Sequence, residues 1–303
     1  MNRLMNKFSF MMAGMLSLLM FVSYTLADKK TSLSATKPNA QVVKPVVLRE
    51  QYNFAGENVP IQNFDVRERL DRELLVNTYW HSNTVLCLKS MQRFFPIIEN
   101  ILKEYRIPVD FKYIPVIETS LRNETSPAGA KGIWQFMKPV AESYKLEIND
   151  EVDERYHLIK ATNAACQHIL RYKQRFGSWT LAAAAYNMGE TGVARELETQ
   201  GEKNYYDINI NDESSRYIFR LLALKEIGEH PDDYGFYIDP VDKYNTIRTH
   251  SVEVSSSIPN LGAWAHDHGT TYRMLKVLNP WLRSSSLTVN PKVKKSYYID
   301  LPD

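Results

Sequence analysis

Apolar residues recur every three to four positions through most of this chain, the spacing that places them on one face of an α-helix. The clearest run extends from Leu88 to Tyr105 and stops before Pro108. Comparable spacing predicts further helices over residues 65–80, 110–118, 132–144, 160–176, 180–188 and 212–227. Alternating strand patterns are scarce between residues 56 and 232. We therefore predict that this part of the chain is mainly α.

Glu118 lies at the end of one short predicted helix. It shares a helical face with Ile114 and Leu121, so its carboxyl group should emerge from the buried side of the helix. Pro115 removes a backbone donor, and we expect it to kink the helix. Residues 119–132, which follow, have the composition of a loop.

The pattern changes after Pro240. Residues 244–254 alternate between polar and apolar side chains as a strand does. Short helices are then predicted over residues 258–268 and 272–278, and a last strand over residues 295–301. This strand–helix–helix–strand order predicts a small α+β module, which we place at residues 243–302.

The N-terminus has the features of an export signal. Arg3 and Lys7 precede an apolar run from Phe8 to Phe21, and Thr25-Leu26-Ala27 supplies small residues before a cleavage site. We assign residues 1–27 to a signal peptide, 28–55 to a flexible linker and 56–238 to the helical domain. The apolar run is short for a bilayer span, although an uncleaved membrane anchor is the alternative.

Composition narrows the classes of function. The chain of 303 residues carries a net charge of +2, so no basic excess favours a nucleic-acid partner. No metal-ligand spacing occurs among its seven histidines, and we expect neither a metal nor another cofactor. Cys87 and Cys166 both lie in apolar helical patterns, which favours free buried thiols, with one disulfide as the alternative.

The surroundings of Glu118 predict acid chemistry. The residue follows an apolar segment and precedes the aromatic run Gly132-Ile-Trp-Gln-Phe136. Burial disfavours the charged form of a carboxyl group and so raises its pKa. A carboxylic acid that is neutral near pH 7 can protonate a leaving oxygen, which cleavage of a glycosidic bond requires. The ordinary alternative for an isolated Glu is a solvated surface charge.

Four blocks of sequence, in order, resemble the soluble lytic transglycosylase domain, which is related to goose-type lysozyme. They are Glu118-Thr-Ser, Gly132-Ile-Trp-Gln, Ala185-Tyr-Asn-Met-Gly189 and Ser215-Arg-Tyr217. The resemblance covers residues 111–227 and is greatest to the membrane-bound lytic murein transglycosylase D type. Thr119 departs from the family, which usually has Ser at that position. Residues 243–302 resemble a divergent LysM domain, with Leu275-Lys-Val-Leu-Asn-Pro280 as the nearest match.

The resemblance implies a lysozyme-like fold and cleavage of the β-1,4 bond between N-acetylmuramic acid and N-acetylglucosamine in peptidoglycan. Glu118 would act first as general acid and then as general base, which forms a 1,6-anhydro end. The implied substrate-binding residues are Thr119, Ser126, Gln135, Tyr186, Asn187 and Tyr217. The LysM resemblance implies a peptidoglycan-binding module. The expected location is outside the cytoplasm, in the periplasm and associated with the cell wall.

Two other functions stay open at this point. A hydrolytic lysozyme would pair the same acid with a base, for which Glu124, Asp150 and Asp153 are the candidates. A non-catalytic wall-binding protein would use the cleft and the LysM-like module without needing the acid. For single residues, core packing is the alternative for Tyr186, and a capping or turn role is the alternative for Asn187.

Overall fold

The computed structural model of the protein describes residues 43–293 and 296–303. The predicted signal peptide (1–27) and most of the predicted linker (28–55) lie outside the described residues. Across those two described ranges, no helix combines the length and the apolar character that crossing a membrane would need.

Helices dominate the described residues, which confirms the prediction of a mainly α protein. The α-helices are α1 (Phe64–Tyr79), α2 (His81–Glu104), α3 (Ile114–Thr119), α4 (Lys138–Ser143), α5 (Leu158–Phe176), α6 (Trp179–Met188), α7 (Glu190–Gln200), α8 (Asp212–Glu229), α9 (Leu261–Asp267) and α10 (Tyr272–Leu278). Short 3₁₀ helices occupy Val109–Tyr113, Glu154–Tyr156, Pro231–Tyr234 and Pro240–Asp242.

Two antiparallel strand pairs accompany these helices. A hairpin near the start joins β1 (Asn53–Phe54) to β2 (Glu57–Asn58). Near the end, β3 (Thr249–Val254) pairs with β4 (Tyr297–Pro302) and flanks α9 and α10. The strand–helix–helix–strand order predicted for the C-terminal module is therefore present, although β3 begins five residues later than the alternation at Tyr244 suggests.

The backbone before Glu118 differs from the prediction. The 3₁₀ helix Val109–Tyr113 leads directly into α3 (Ile114–Thr119), and Pro115 lies in the first turn of α3. A first-turn residue has no intrahelical acceptor for its N–H, so a proline there costs no hydrogen bond. The expectation that Pro115 kinks a continuous helix is therefore wrong.

The segment after the loop is also less helical than its apolar spacing suggests. Only α4 (Lys138–Ser143) is helical within the predicted range 132–144, and Pro139 lies in its first turn. Residues 132–136 instead form a turn that is closed by bridges from Lys131 to Thr125 and to Phe136. Helix α7 is not predicted from the sequence, because its buried side consists of Val193 alone.

The main core lies between the long helices, with α8 against α1 and α6 against α5, α7 and α8. Helix α6 crosses this core with four consecutive alanines, Ala182 to Ala185, at 0–2% exposure. Glu57 in β2 fixes the start of α6, because its carboxylate accepts hydrogen bonds from Ser178 Oγ at 2.7 Å and Trp179 N at 2.6 Å. The thiols of Cys87 and Cys166 are both free and buried.

A second apolar cluster lies in the C-terminal module, around Leu261, Leu275 and Ile299. Val152 and Tyr156, from the helical body, belong to the same cluster. The module therefore shares its core with the segment between α4 and α5.

Candidate active site

Glu118, at the end of α3, is hydrogen-bonded to Tyr217 in α8. The Tyr217 hydroxyl donates a hydrogen bond of 2.8 Å to Glu118 Oε1. Tyr217 is buried at 2% exposure. The two residues are 99 positions apart in sequence, so packing of α3 on α8 brings them together.

Burial raises the pKa of the Glu118 carboxyl group above its usual value of 4.5. The hydrogen bond from Tyr217 and the positive charge of Arg220 oppose this shift, while the negative charge of Glu213 adds to it. Because burial has the largest effect, the net direction is upward, as the sequence predicts. Glu118 can therefore hold a proton at a higher pH than an exposed glutamate.

Helix α8 carries all three side chains that shift the pKa of Glu118. Glu213, Tyr217 and Arg220 are spaced four and three residues apart, so they lie on one helical face. Arg220 Nη2 also donates to the Ile117 carbonyl oxygen at 2.8 Å, which fixes α8 against the last turn of α3. Sequence reasoning missed Arg220, although its spacing from Tyr217 was a usable signal.

The backbone turns sharply after Glu118, because both Ser120 and Leu121 adopt left-handed conformations with φ of 53° and 61°. Thr119 is buried, and its hydroxyl donates to the Pro115 carbonyl oxygen at 3.1 Å, with the Ile133 carbonyl oxygen at 3.4 Å. Thr119 therefore links the end of α3 to the next turn. Its hydroxyl faces protein backbone, which does not favour the predicted contact with substrate.

The turn at residues 132–136 presents Gln135, which has a left-handed φ of 52°. Gln135 Nε2 donates to the carbonyl oxygens of Gly132 at 2.7 Å and Glu124 at 3.3 Å. These bonds use the side-chain donors and leave Gln135 Oε1 as an acceptor. In the preceding loop, Ser126 Oγ accepts from Ala130 N at 3.0 Å and keeps its own hydroxyl proton for another partner.

Tyr186, near the end of α6, connects this turn to the acid. Its hydroxyl donates to the Trp134 carbonyl oxygen at 2.8 Å, and its ring packs near Trp134 and Phe136 with centroid distances of 6.3 Å. Burial raises the pKa of Tyr186, and the nearby charge of Glu118 raises it further. Tyr186 therefore has the packing contacts that the sequence gave as the alternative to substrate binding, and it also lies near Glu118.

Asn187 follows Tyr186 and is only partly buried. Among residues 43–293 and 296–303, no hydrogen bond involves its side-chain amide, and the hydrogen bond that ends α6 is made by the backbone of Gly189. The capping alternative is therefore not what the structure shows. One donor group and one acceptor of Asn187 are available to a ligand.

The three candidate bases for a hydrolytic mechanism lie in other surroundings. Asp153 accepts hydrogen bonds from Arg155 Nε at 2.9 Å and Nη2 at 2.7 Å, and Glu124 pairs with Arg122 at 3.0 Å. Asp150 is exposed. Glu213 is the one acidic residue in the described part of the chain that affects the pKa of Glu118. No group of histidines, cysteines and acidic residues suited to a metal ion occurs in that part of the chain.

Comparison with known protein families assigns two regions. Residues 96–209 match the transglycosylase SLT domain. Residues 250–303 match the soluble lytic transglycosylase C-terminal LysM-like domain. The first match contains every predicted site residue except Tyr217, which lies eight positions beyond its end.

Individual proteins similar to this chain include two that are named as murein transglycosylases. The chain is 25% identical over 243 residues to membrane-bound lytic murein transglycosylase D of Escherichia coli strain K12. The same values hold for the protein of that name from E. coli O6:H1. Each match covers 77% of this chain and 52% of the relative. It is 29% identical over 126 residues to a putative tributyltin chloride resistance protein of Alteromonas sp. strain M-1, covering 41% of this chain and 56% of the relative. The chain spans about half the length of the relatives it matches.

Proposed function

We propose that this chain, which carries a transglycosylase SLT domain followed by a LysM-like C-terminal domain, is a peptidoglycan lytic transglycosylase. The observation that carries the proposal is the partly buried Glu118 carboxyl group, which has a raised pKa and a 2.8 Å hydrogen bond from Tyr217. The similarity to two enzymes named as murein transglycosylases supports the same substrate class.

Glu118 is protonated at the start of the reaction and donates its proton to the glycosidic oxygen as the bond from C1 of N-acetylmuramic acid breaks. The acetamido group of that sugar stabilises the resulting cation. The Glu118 carboxylate then accepts the proton of the C6 hydroxyl of the same sugar while O6 bonds to C1. The product is a 1,6-anhydro ring, and no water is consumed. Attack by a tethered hydroxyl benefits from proximity.

Tyr217 and Arg220 suit the second half of this reaction. Once Glu118 has lost its proton, the carboxylate is a buried charge that needs compensation. The Tyr217 hydroxyl and the Arg220 guanidinium both favour that ionised form. They therefore stabilise the carboxylate between its two proton transfers, while burial keeps it basic enough to accept the second proton.

The remaining polar groups can hold the sugar. Asn187 offers an uncommitted amide, Gln135 an acceptor oxygen and Ser126 a hydroxyl proton, which match the acetamido and hydroxyl groups of the glycan. Thr119 has a different role. Its hydroxyl bonds to the Ile133 carbonyl oxygen and so positions the turn that carries Gln135. We assign the three side chains to substrate binding and Thr119 to positioning.

Replacing Tyr217 with phenylalanine should move the pH profile of cleavage. Without the donor at 2.8 Å, the pKa of Glu118 rises further, so the alkaline limb of kcat/KM should shift to higher pH. The loss of a hydrogen bond to a charged group should also lower kcat by roughly tenfold or more. Tyr205→Phe is the control, because the Tyr205 hydroxyl donates to backbone carbonyl groups of Ser214 and Ser215. An unshifted profile for Tyr217→Phe would contradict this role.

Replacing Asn187 with alanine should weaken substrate binding without affecting the fold. The amide makes no hydrogen bond within the described residues, so the melting temperature should not change. Loss of one hydrogen bond to the sugar should lower kcat/KM by about two- to tenfold. Steady-state kinetics on a soluble glycan measure this effect, and Asn163→Ala on α5 is the control. A destabilised Asn187→Ala protein would indicate a structural role instead.

Mass spectrometry of the fragments released from purified peptidoglycan tests the proposed function. Fragments with 1,6-anhydro ends, each one water lighter than a hydrolytic product, would support it. Reducing ends would indicate the hydrolytic alternative, in which water takes the place of the C6 hydroxyl. Binding to the wall without release of fragments would indicate a non-catalytic protein.

The expected location follows from the substrate. The similarity to membrane-bound murein transglycosylases supports a place in the cell envelope, and we propose export to the periplasm, directed by residues 1–27. Retention of that segment would add a membrane anchor. We further propose that the LysM-like module binds the peptidoglycan glycan.

A further inference from the structure

One segment of the chain contacts both the LysM-like module and the loop next to Glu118. We call residues 147–156 the docking segment and residues 119–136 the active-site loop. The docking segment lies between α4 and α5, and two of its residues, Val152 and Tyr156, are buried in the core of the module.

On the module side, Glu151 accepts three hydrogen bonds from the module. Its carboxylate accepts hydrogen bonds from Ser286 Oγ at 2.6 Å and from Thr288 N at 2.7 Å, and its carbonyl oxygen accepts from Arg283 N at 2.7 Å. The hydrogen bond from Ser286 lowers the pKa of Glu151, so the carboxylate is charged at neutral pH. A charged acceptor makes these bonds stronger than neutral ones.

The same side is also tied by backbone and aromatic contacts. Asp153 N donates to the Trp281 carbonyl oxygen at 2.9 Å, and Val152 forms an antiparallel bridge with Leu282. The Trp281 ring stacks with both His157 and Tyr297, with centroid distances of 5.9 Å and 5.8 Å. The module is therefore packed against residues 151–153 and Tyr156 of the docking segment.

On the other side, the docking segment supports the active-site loop. Arg155 is buried, and its Nη1 lies 3.3 Å from the Phe136 carbonyl oxygen and 3.4 Å from that of Gly129. The hydroxyl groups of Tyr156 and Thr125 are hydrogen-bonded at 3.0 Å. The backbone of Gly132 lies against that of Arg155 so closely that a Cβ at Gly132 would be 1.9 Å from the Arg155 carbonyl oxygen.

We propose that the LysM-like module holds the active-site loop in place through the docking segment, and that Glu151 is a positioning residue for cleavage. This inference rests on the proposed function. The loop carries Ser126 and Gln135 and adjoins Glu118, so a displaced docking segment would misplace groups that hold the sugar. The module would then serve the reaction itself, in addition to any binding of the wall.

The test uses full-length Glu151→Ala with a soluble glycan fragment as substrate. We expect kcat to fall by about tenfold, within the range that small misplacements of reacting groups produce. KM should rise as well, because the displaced loop carries groups that hold the sugar. Hydrogen exchange of the backbone amides over residues 124–136 should become faster, which a role confined to wall binding would not cause.

Three variants complete the design. Glu151→Gln keeps an acceptor for Thr288 N and a polar partner for Ser286, so it should restore most of the activity. Ser286→Ala removes one bond from the opposite side and should give a smaller effect in the same direction. Glu253→Ala removes an exposed carboxylate of the same module, on β3, and should match the unmodified protein in both measurements.

Unchanged kcat together with unchanged exchange over 124–136 in Glu151→Ala would overturn the inference, and so would faster exchange confined to the module. The exchange measurement does not depend on activity. A protein that releases no 1,6-anhydro fragments, yet shows faster exchange in the loop of Glu151→Ala, would therefore refute the proposed function and leave the mechanical link between module and loop supported.

Discussion

Replacing Glu118 with glutamine should abolish release of 1,6-anhydro fragments from peptidoglycan. Glutamine has nearly the same shape and can still accept the hydrogen bond from Tyr217, but it cannot donate a proton to the glycosidic oxygen or take one from the C6 hydroxyl. Loss of general acid catalysis alone costs about 10²- to 10⁴-fold in rate, and here one residue serves both proton transfers. Fragment analysis by mass spectrometry and steady-state kinetics measure the loss.

The same substitution should make the protein more stable at neutral pH. The folded-state pKa of Glu118 is raised above its unfolded value. Its contribution to stability is therefore fully present below the unfolded pKa and is lost as the pH rises through the folded pKa. Glutamine cannot ionise, so the Glu118→Gln protein does not lose this stability as the pH rises. The melting temperature of Glu118→Gln should exceed that of the unmodified protein at high pH, and the difference should disappear at low pH.

The control for this experiment is Glu68→Gln, which changes an exposed glutamate on α1 and should alter neither activity nor the dependence of stability on pH. A folded Glu118→Gln protein that still released anhydro fragments would exclude Glu118 as the acid. Equal melting temperatures at every pH would show that burial does not disfavour its charge.

Replacing Gly132 with alanine should destabilise the folded protein more than any of the other substitutions. Gly132 has a φ of +78°, and an added Cβ would lie 1.9 Å from the Arg155 carbonyl oxygen and 2.8 Å from its carbonyl carbon. The left-handed conformation and the overlap with backbone both cost free energy, and together they should lower the free energy of unfolding by about 3 kcal/mol. Denaturant titration measures this change. Activity should fall with it, because the turn carries Gln135.

Gly129 provides a matched control in the same loop. Its φ is +89°, but an added Cβ would meet no atom within 4 Å. Gly129→Ala should therefore cost only the conformational strain, about 1 kcal/mol. If both variants lost equal stability, the close approach of Gly132 to Arg155 would not be the cause.

The central features of the fold and site could be predicted because they depend on local pattern. The apolar stripe that ends before Pro108 indicated a helix, and the placement of Glu118 beside apolar residues indicated a raised pKa. The segment 132–144 could not be predicted correctly from spacing alone. Ile133, Trp134 and Phe136 are buried as helical residues would be, but the left-handed Gln135 places them there through a turn.

Other features depend on contacts between distant residues, which periodicity does not record. The charge of Arg220 affects Glu118 only because α8 packs on α3. The C-terminal module was predicted as a separate unit, since its pattern differs from that of the helical body. Nothing in the pattern around Glu151 indicates that its carboxylate accepts hydrogen bonds from residues 135 and 137 positions away.

The run of buried alanines in α6 limits which substitutions the site can accept. With Ala182 to Ala185 fully buried, the distance from α6 to its neighbours is set by backbone atoms and single methyl groups, which only glycine could make smaller. Larger residues there would push Tyr186 away from Glu118. Variants selected for other glycans should therefore carry their changes in the exposed residues 122–125 and 127–128, while the α6 face stays constant.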